Sequence, residues 1–384
     1  MAEKNDDARS GGSVASTCSA LQYDENDSLS ARNAMMVNNK WLSDITFIVG
    51  PEKQRIYAHK LRLVTASQYF HLLFFGSFVE ARLDEIEMEK EDPEIFLTIL
   101  RLIYGAQVDI DVANIREIYD RIQMYLLPQS CFKPLIDCLL NLVSKDTAMQ
   151  ILGENDFYQF KMVDEMCLRY IQNNPLYYFK SVDFTVLSKE GMLKIVGLQR
   201  INCTNDQLRD AVQKWQLANP EADSGQLMSV MDGTLRTYMC DKMFLLGCVA
   251  TEGSSTETQD GRFELEIHGK PVTFYGIGVY LPPFLGSVSL NLKTFCNGTY
   301  KELCQISLTR KRKRMEVVDL VFEPLELEEE KTYQFILTRS LGGYIFQTDY
   351  FPFINEPFRL AVNRDRNLPP AFSHVLFKYT DEEQ

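Results

Sequence analysis

The sequence predicts a multidomain α+β protein in three parts: a mixed α/β domain, a run of amphipathic helices, and a C-terminal all-β sandwich. Three observations predict it. First, Ile45-Thr-Phe-Ile-Val49 is a run of β-prone residues stopped by Gly50-Pro51, and helical segments follow within a few residues. Second, from Val112 to about residue 245 apolar residues recur at spacings of three and four, the period of a helix with one buried face. Third, beyond about residue 260 the period drops to two. The chain has 384 residues, and at roughly 150 residues per domain that gives two or three domains.

Taken in order, residues 1–27 hold two basic and six acidic residues among Ser and Gly, and a disordered tail is expected. Ser28 caps a short helix that carries Leu29, Met36 and Val37 on one side. Asp44–Gly50 and Arg55–Ala58, around a polar turn, form a hairpin. Helices follow over 59–66 and 68–75, then a third strand over 84–88. Pro93 opens a helix whose apolar set is Ile95, Phe96, Ile99, Leu100, Leu102 and Ile103. The next helices carry Ile115, Ile118 and Ile122, then Leu135, Leu139 and Leu142, then Val163, Met166 and Tyr170. In the last part, Phe263–Ile267, Val288–Leu292 and Tyr333–Leu337 alternate, separated by turn signals such as Pro282-Pro283 and Asn297-Gly298. Gly253–Gly261 is the best linker between helices and strands.

Several functions are excluded by what is missing. Forty basic against 53 acidic residues leave a formal charge of −13, which repels nucleic-acid phosphates. No stretch approaches 18 uninterrupted apolar residues, and the first residues, MAEKNDDARSGG, lack an apolar signal region. The nine cysteines include no C-x-x-C pair, and the four histidines are scattered, so no metal site is expected and reduced, mostly buried intracellular thiols are. The sequons at Asn26, Asn202 and Asn297 then carry no consequence. There is no G-x-x-x-x-G-K or G-x-S-x-G, and Gly276-Ile-Gly278 lies in a strand pattern. No catalytic set and no cofactor are expected, and a RING-type cysteine set is absent as well.

Trp41-Leu-Ser-Asp-Ile-Thr-Phe-Ile-Val49, Ala58-His-Lys60, Ala66-Ser-Gln-Tyr-Phe70 and Ile95 through Tyr104-Gly105 resemble, in order and spacing, a BTB/POZ domain. The helical middle, with Trp215 closing its helix 207–217, resembles a BACK domain. Phe263–Ile267, Gly276–Tyr280 and Val375–Tyr379 are similar to a PHR domain, and Arg32–Asn39 resembles the lead-in of BTB–BACK–PHR proteins. The resemblance implies a BTB/POZ domain at 28–140, a shortened BACK-like domain at 141–250, a linker at 251–260 and a PHR-like sandwich at 261–384. It also implies a non-catalytic substrate adaptor of a cullin-3 ubiquitin ligase, homodimeric, with a protein target on the PHR-like part. The competing reading is a BTB interaction or scaffold protein without cullin binding.

The resemblance assigns roles residue by residue. Met35, Met36, Trp41 and Leu42 would close a dimer, the bland alternative being packing within one chain. Asp44 and Lys60 would form a charged pair in the dimer pocket. Phe78-Val79-Glu80 occupies the place of the apolar-x-Glu cullin contact, an aromatic anchor beside one carboxylate. Tyr125 and Leu126, closing a helix expected over 112–127, match a second cullin surface, extended by the helices over 131–152. His59 would be a structural histidine tying helix to strand, and His71 a surface residue. Arg310, Lys311, Arg312, Lys313 and Arg314 form a basic run that reads either as a nuclear signal or, preferably, as a solvated hairpin balanced by Glu326–Glu330. A cytoplasmic location follows, with a nuclear one open.

Overall fold

The structure is a computed structural model, and it describes residues 24, 27–77, 83–244, 249–253, 259–281, 287–296, 298–309, 316–340, 345–349, 353–355, 357–362 and 372–380. The expected tail lies almost wholly outside the described residues. The chain divides into two compact units, Met1–Leu142 and Val143–Gln384.

In the first unit, α1 (Leu29–Ala34) starts where expected, with the Ser28 hydroxyl accepting from the Ala31 N–H at 3.1 Å. Strands β1 (Ile45–Val49) and β2 (Gln54–Ala58) form the hairpin, its turn running through Gly50 at φ +72° and Lys53 at φ +53°. Helices α2 (Lys60–Ala66) and α3 (Gln68–Phe75) follow, then β3 (Glu85–Met88), which lies parallel to β1 and makes the sheet order β2-β1-β3. Helix α4 (Pro93–Tyr104) is well punctuated: Asp92 accepts from the N–H groups of Glu94 and Ile95, Pro93 sits in the first turn, and Gly105 ends it at φ +72°. Phe47 on β1 meets Phe96 edge-on at 5.0 Å and Phe70 at 6.1 Å, which fixes sheet, α3 and α4 in one core. Helix α5 (Ile115–Met124) is shorter than the 112–127 expected, because the Asp111 carboxylate accepts from the N–H groups of Ala113 and Asn114 and holds the chain in a turn. Beyond it lie a 3-10 turn over Gln129–Phe132 and α6 (Lys133–Leu142).

The second unit opens with helices α7 (Ala148–Tyr158), α8 (Lys161–Asn173), the short α9 (Pro175–Tyr178) and α10 (Val182–Thr185), then α11 (Lys189–Val196), α12 (Asn205–Ala218) and α13 (Gly225–Gly233). Lys194 on α11 lies 2.9 Å from both Asp156 on α7 and Asp164 on α8, which ties three helices with one cation. Trp215 is buried and donates to the Leu187 carbonyl at 3.0 Å. Thr204 and Gln207 form a capping box at the start of α12.

The strands follow: β4 (Asp241–Phe244), β5 (Val249–Gly253), β6 (Gln259–Ile267), β7 (Val272–Leu281), β8 (Ser287–Cys296), β9 (Thr299–Thr309), β10 (Glu316–Leu327), β11 (Thr332–Ser340), β12 (Ile345–Asp349), β13 (Phe353–Asn355), β14 (Phe358–Val362) and β15 (Phe372–Tyr379). Among the described residues they form a four-stranded sheet, β10-β7-β15-β4, a six-stranded sheet, β13-β14-β6-β11-β8-β9, and the pair β12-β5. Every pairing in them is antiparallel. The expected alternation is seen directly: Phe263, Leu265 and Ile267, like Val288, Leu290 and Leu292, face a core in which Phe263 stacks on Phe335 at 5.1 Å. Two expectations need correction. The linker expected over 251–260 is partly strand, because β5 runs to Gly253 in its pairing with β12 and β6 already begins at Gln259. The span from 112 to about 245 reads as strand-free, yet β4 pairs with β15 ahead of the expected linker over 251–260. Four residues with no alternation leave no period to detect.

The four-stranded sheet is covered on both faces. Its inner face meets the six-stranded sheet, and its outer face carries Tyr275, Val321 and Leu376, which pack with Cys240, Leu176 and Tyr238 from the helical part. This explains why β7 is buried along nearly its whole length.

Candidate protein-interaction surfaces

In the first unit, the lead-in after α1 is held by side-chain amides. The Asn39 Nδ2 group donates to the Met35 carbonyl at 3.1 Å, and Asn38 Oδ1 accepts from the Tyr57 N–H at 3.0 Å. Met35, Met36 and Trp41 are half-buried, whereas Leu42, at φ +57°, is 69% exposed. His59 fills the structural role expected of it. Its Nε2–H donates to the Trp41 carbonyl at 3.0 Å, and its Nδ1 accepts from the Tyr104 hydroxyl at 2.8 Å. Burial, foremost, pushes the Tyr104 hydroxyl up to about 12, so it stays a protonated donor.

Asp44 and Lys60 do come together, but through the backbone: the Lys60 N–H donates to Asp44 Oδ1 at 2.7 Å at the start of α2. The Lys60 ammonium lies 3.7 Å from Asp84 and 5.8 Å from the centre of the Phe74 ring. Three exposed apolar side chains that sequence reasoning missed, Leu61, Leu72 and Phe75, lie on α2 and α3, and Phe75 is 67% exposed. The signal was in the sequence: 68–75 reads QYFHLLFF, with more apolar residues than one buried face can use.

Phe78 and Glu80 lie outside the described residues, as do Arg310, Lys311, Arg312, Lys313 and Arg314. Tyr125 requires a correction. It is wholly buried, stacked on Phe70 at 5.2 Å and against Tyr69 at 5.1 Å, and its carbonyl accepts from the Ser67 hydroxyl at 2.6 Å. Burial and the nearby Glu91 carboxylate raise its hydroxyl pKa. A ring used up by the core offers no face to a partner. Leu126, turned out at φ +52°, is 56% exposed.

In the second unit a polar network joins the helical part to the sandwich. Tyr238 donates to Asp319 Oδ2 at 2.6 Å, and Nε2 of the fully buried His374 lies 3.0 Å from Asp319 Oδ1. Burial opposes the charge on Asp319, but its hydrogen bonds with His374 and Tyr238 outweigh that and hold the carboxyl below its ordinary value. Ser373 lies 3.1 Å from His374 Nδ1. The order Ser–His–Asp superficially suggests a hydrolase, but Ser373 is itself buried and is not among the residues that line the nearby cleft. That cleft, of about 990 Å³, lies between the first turns of α12, the connector leading to β4, and the edge strands β9 and β10. Burial pushes the Cys203 and Cys240 thiols at its wall up to about 12 each, so neither is a ready nucleophile. Among the described residues no cluster of His, Cys, Asp or Glu could hold a metal ion. No helix among them is long and apolar enough to cross a membrane.

Comparison with known proteins agrees with this division. The family model described as the BTB/POZ domain matches residues 34–139, and that described as "BTB And C-terminal Kelch", the BACK domain, matches residues 148–250. The chain is 25% identical over 189 residues to BTB/POZ domain-containing protein 6 of Xenopus laevis, covering 49% of this chain and 35% of that protein. It is 26% identical over 186 residues to BTB/POZ domain-containing protein 3 of Homo sapiens, covering 48% of this chain and 35% of that protein. The match thus spans about a third of the length of these relatives. Strands β6 to β15 lie outside both matched stretches.

Proposed function

We propose that this chain, which carries a BTB/POZ domain followed by a BACK domain, is a non-catalytic substrate adaptor of a cullin-3 ubiquitin ligase. In this reading the BTB domain forms a homodimer and docks cullin-3, and the PHR-like sandwich recruits a protein target. The observation that carries it is the order of parts on one chain. A dimerising and docking domain comes first, and a helical domain then fixes a β-sandwich to itself through a shared apolar cluster. BTB domains generally dimerise and BTB–BACK proteins commonly bind cullin-3, and the exposed Leu42, Leu61 and Phe75 supply apolar surface of the kind a dimer or a docking partner covers. Chemistry on the target would belong to the partners.

The test is co-purification of cullin-3 with the full chain and with the double variant Phe78→Ala/Glu80→Ala. Loss of an aromatic hot spot and its neighbouring carboxylate is expected to weaken binding by about 2–3 kcal/mol, roughly thirty- to a hundred-and-fifty-fold, while the dimer stays intact by size-exclusion chromatography. Unchanged binding would move the contact away from residues 78–80. Absence of cullin-3 from the wild-type complex would favour a scaffold role.

A further inference from the structure

We propose that the cleft beside β9 is a docking groove for an extended segment of a partner protein, which adds as a strand to β9 and points a Lys or Arg at Asp206 and Asp210. This rests on the adaptor reading only in that the partner would be the ubiquitination target.

The first support is the backbone. Among the described residues β9 is paired as a strand with β8 alone, so its other edge, although β10 lies near, is unpaired where Gln305, Ile306, Ser307 and Leu308 line the cleft. An open edge presents alternating N–H and C=O groups, and an extended peptide satisfies that row whereas a helix does not. The facing strand β10 is blocked further along, because Gln207 Nε2 donates to the Val321 carbonyl at 2.8 Å.

The second support is the side chains. Ile306, Leu308 and Val318 are half-buried and Val317 is 40% exposed, an apolar strip that fits alternate side chains of an added strand. The third is charge. Asp206 and Asp210 lie one helical turn apart on α12, both exposed at the cleft and neither in an ion pair among the described residues. The cations among the described residues that line the cleft are already engaged: Arg209 lies 3.0 Å from Asp232, Arg236 donates to the carbonyls of Met231 and Val196, and the Lys242 ammonium favours the charge on Asp319. Two carboxylates in no ion pair among the described residues, beside an apolar strip and an unpaired strand edge, fit an extended segment with alternating apolar residues and a flanking basic one.

The experiment is selection of a randomised phage-displayed peptide library, of roughly ten residues, on the purified full chain with no cullin present. Enriched peptides are expected to alternate apolar residues and to carry Lys or Arg at one end. Their affinity is expected to fall about ten-fold for the surface variant Asp206→Lys/Asp210→Lys. Methylating alternate backbone nitrogens of a selected peptide, which removes the ladder donors, is expected to abolish binding. No enrichment of such a pattern overturns the proposal, as does binding that survives both the charge reversal and the methylation. Because cullin is absent, failure here is separate from failure of cullin docking.

Discussion

A carboxylate as enclosed as Asp319 is opposed by burial and keeps its charge through Tyr238, which donates to it, the His374 ring 3.0 Å away, and the field of Lys242. The variant Asp319→Asn would lose that charge, and with it the match to a fully buried ring. It is expected to destabilise the second unit by about 2–3 kcal/mol at neutral pH. The pH dependence follows from the direction of the shift. The folded carboxyl titrates below its unfolded value, so its contribution is complete above the ordinary carboxylate range and is lost as pH falls through that range toward the lowered folded value. Thermal melts of wild type and variant are therefore expected to differ most near pH 7 and to converge in acid. A constant gap across pH would show that the network does not depend on the charge. None of this was legible in the sequence, because Tyr238, Asp319 and His374 are separated by 81 and 55 positions and belong to no local motif. His59 was legible, since Ala58-His-Lys60 is a short segment with a recognisable place.

At the scale of elements, legibility follows period. Strands β6 and β8 were readable because one face is buried and the other wetter, and α4 because cap, Pro and Gly all mark its ends. Strand β4 was not, being four residues long, and α5 was overextended because a turn at Asp111 competes with helix start. Tyr125 was misplaced for a related reason: helical spacing tells which residues share a face but not which face the core takes. The two glycines of β7 show the opposite case, readable as strand but not as packing. Gly278 lies directly across from His374, and a Cβ there would sit 2.2 Å from the imidazole. At Gly276 a Cβ would meet the Leu320 carbonyl at 2.6 Å. The variant Gly278→Ala is expected to lower stability by about 2–4 kcal/mol, because the fully buried ring has no room to retreat. An unchanged melting temperature would mean that β15 shifts at little cost.

At the scale of the whole molecule, the periods of three to four and then two separate helices from strands correctly, but they do not say which parts fold together. The structure couples the helical part of the second unit to the sandwich through the Tyr275–Val321–Leu376 cluster. Polar ties add to it, with Lys378 donating to Asn173 at 2.6 Å and Tyr238 reaching Asp319. A buried apolar side chain contributes about 1.5–3 kcal/mol, so losing several at once would unfold a domain whose net stability is of order 5–15 kcal/mol. The helices and the sandwich should then unfold as one cooperative body. The sequence supplies a clean probe, because its two tryptophans fall one in each unit, at Trp41 and Trp215. In a Trp41→Phe chain the emission of Trp215 reports the helical part alone, while hydrogen exchange at β7 and β15 reports the sandwich. Both signals are expected to be lost at the same denaturant concentration. Loss of protection in the sandwich well before the Trp215 transition would show two independent domains. In that case a chain cut near residue 257 would keep a native helical part; under the coupling argued here, the cut strands β4 without β15 and leaves Cys240, Leu176 and Tyr238 uncovered, so the truncated chain is expected to aggregate or melt at a lower temperature.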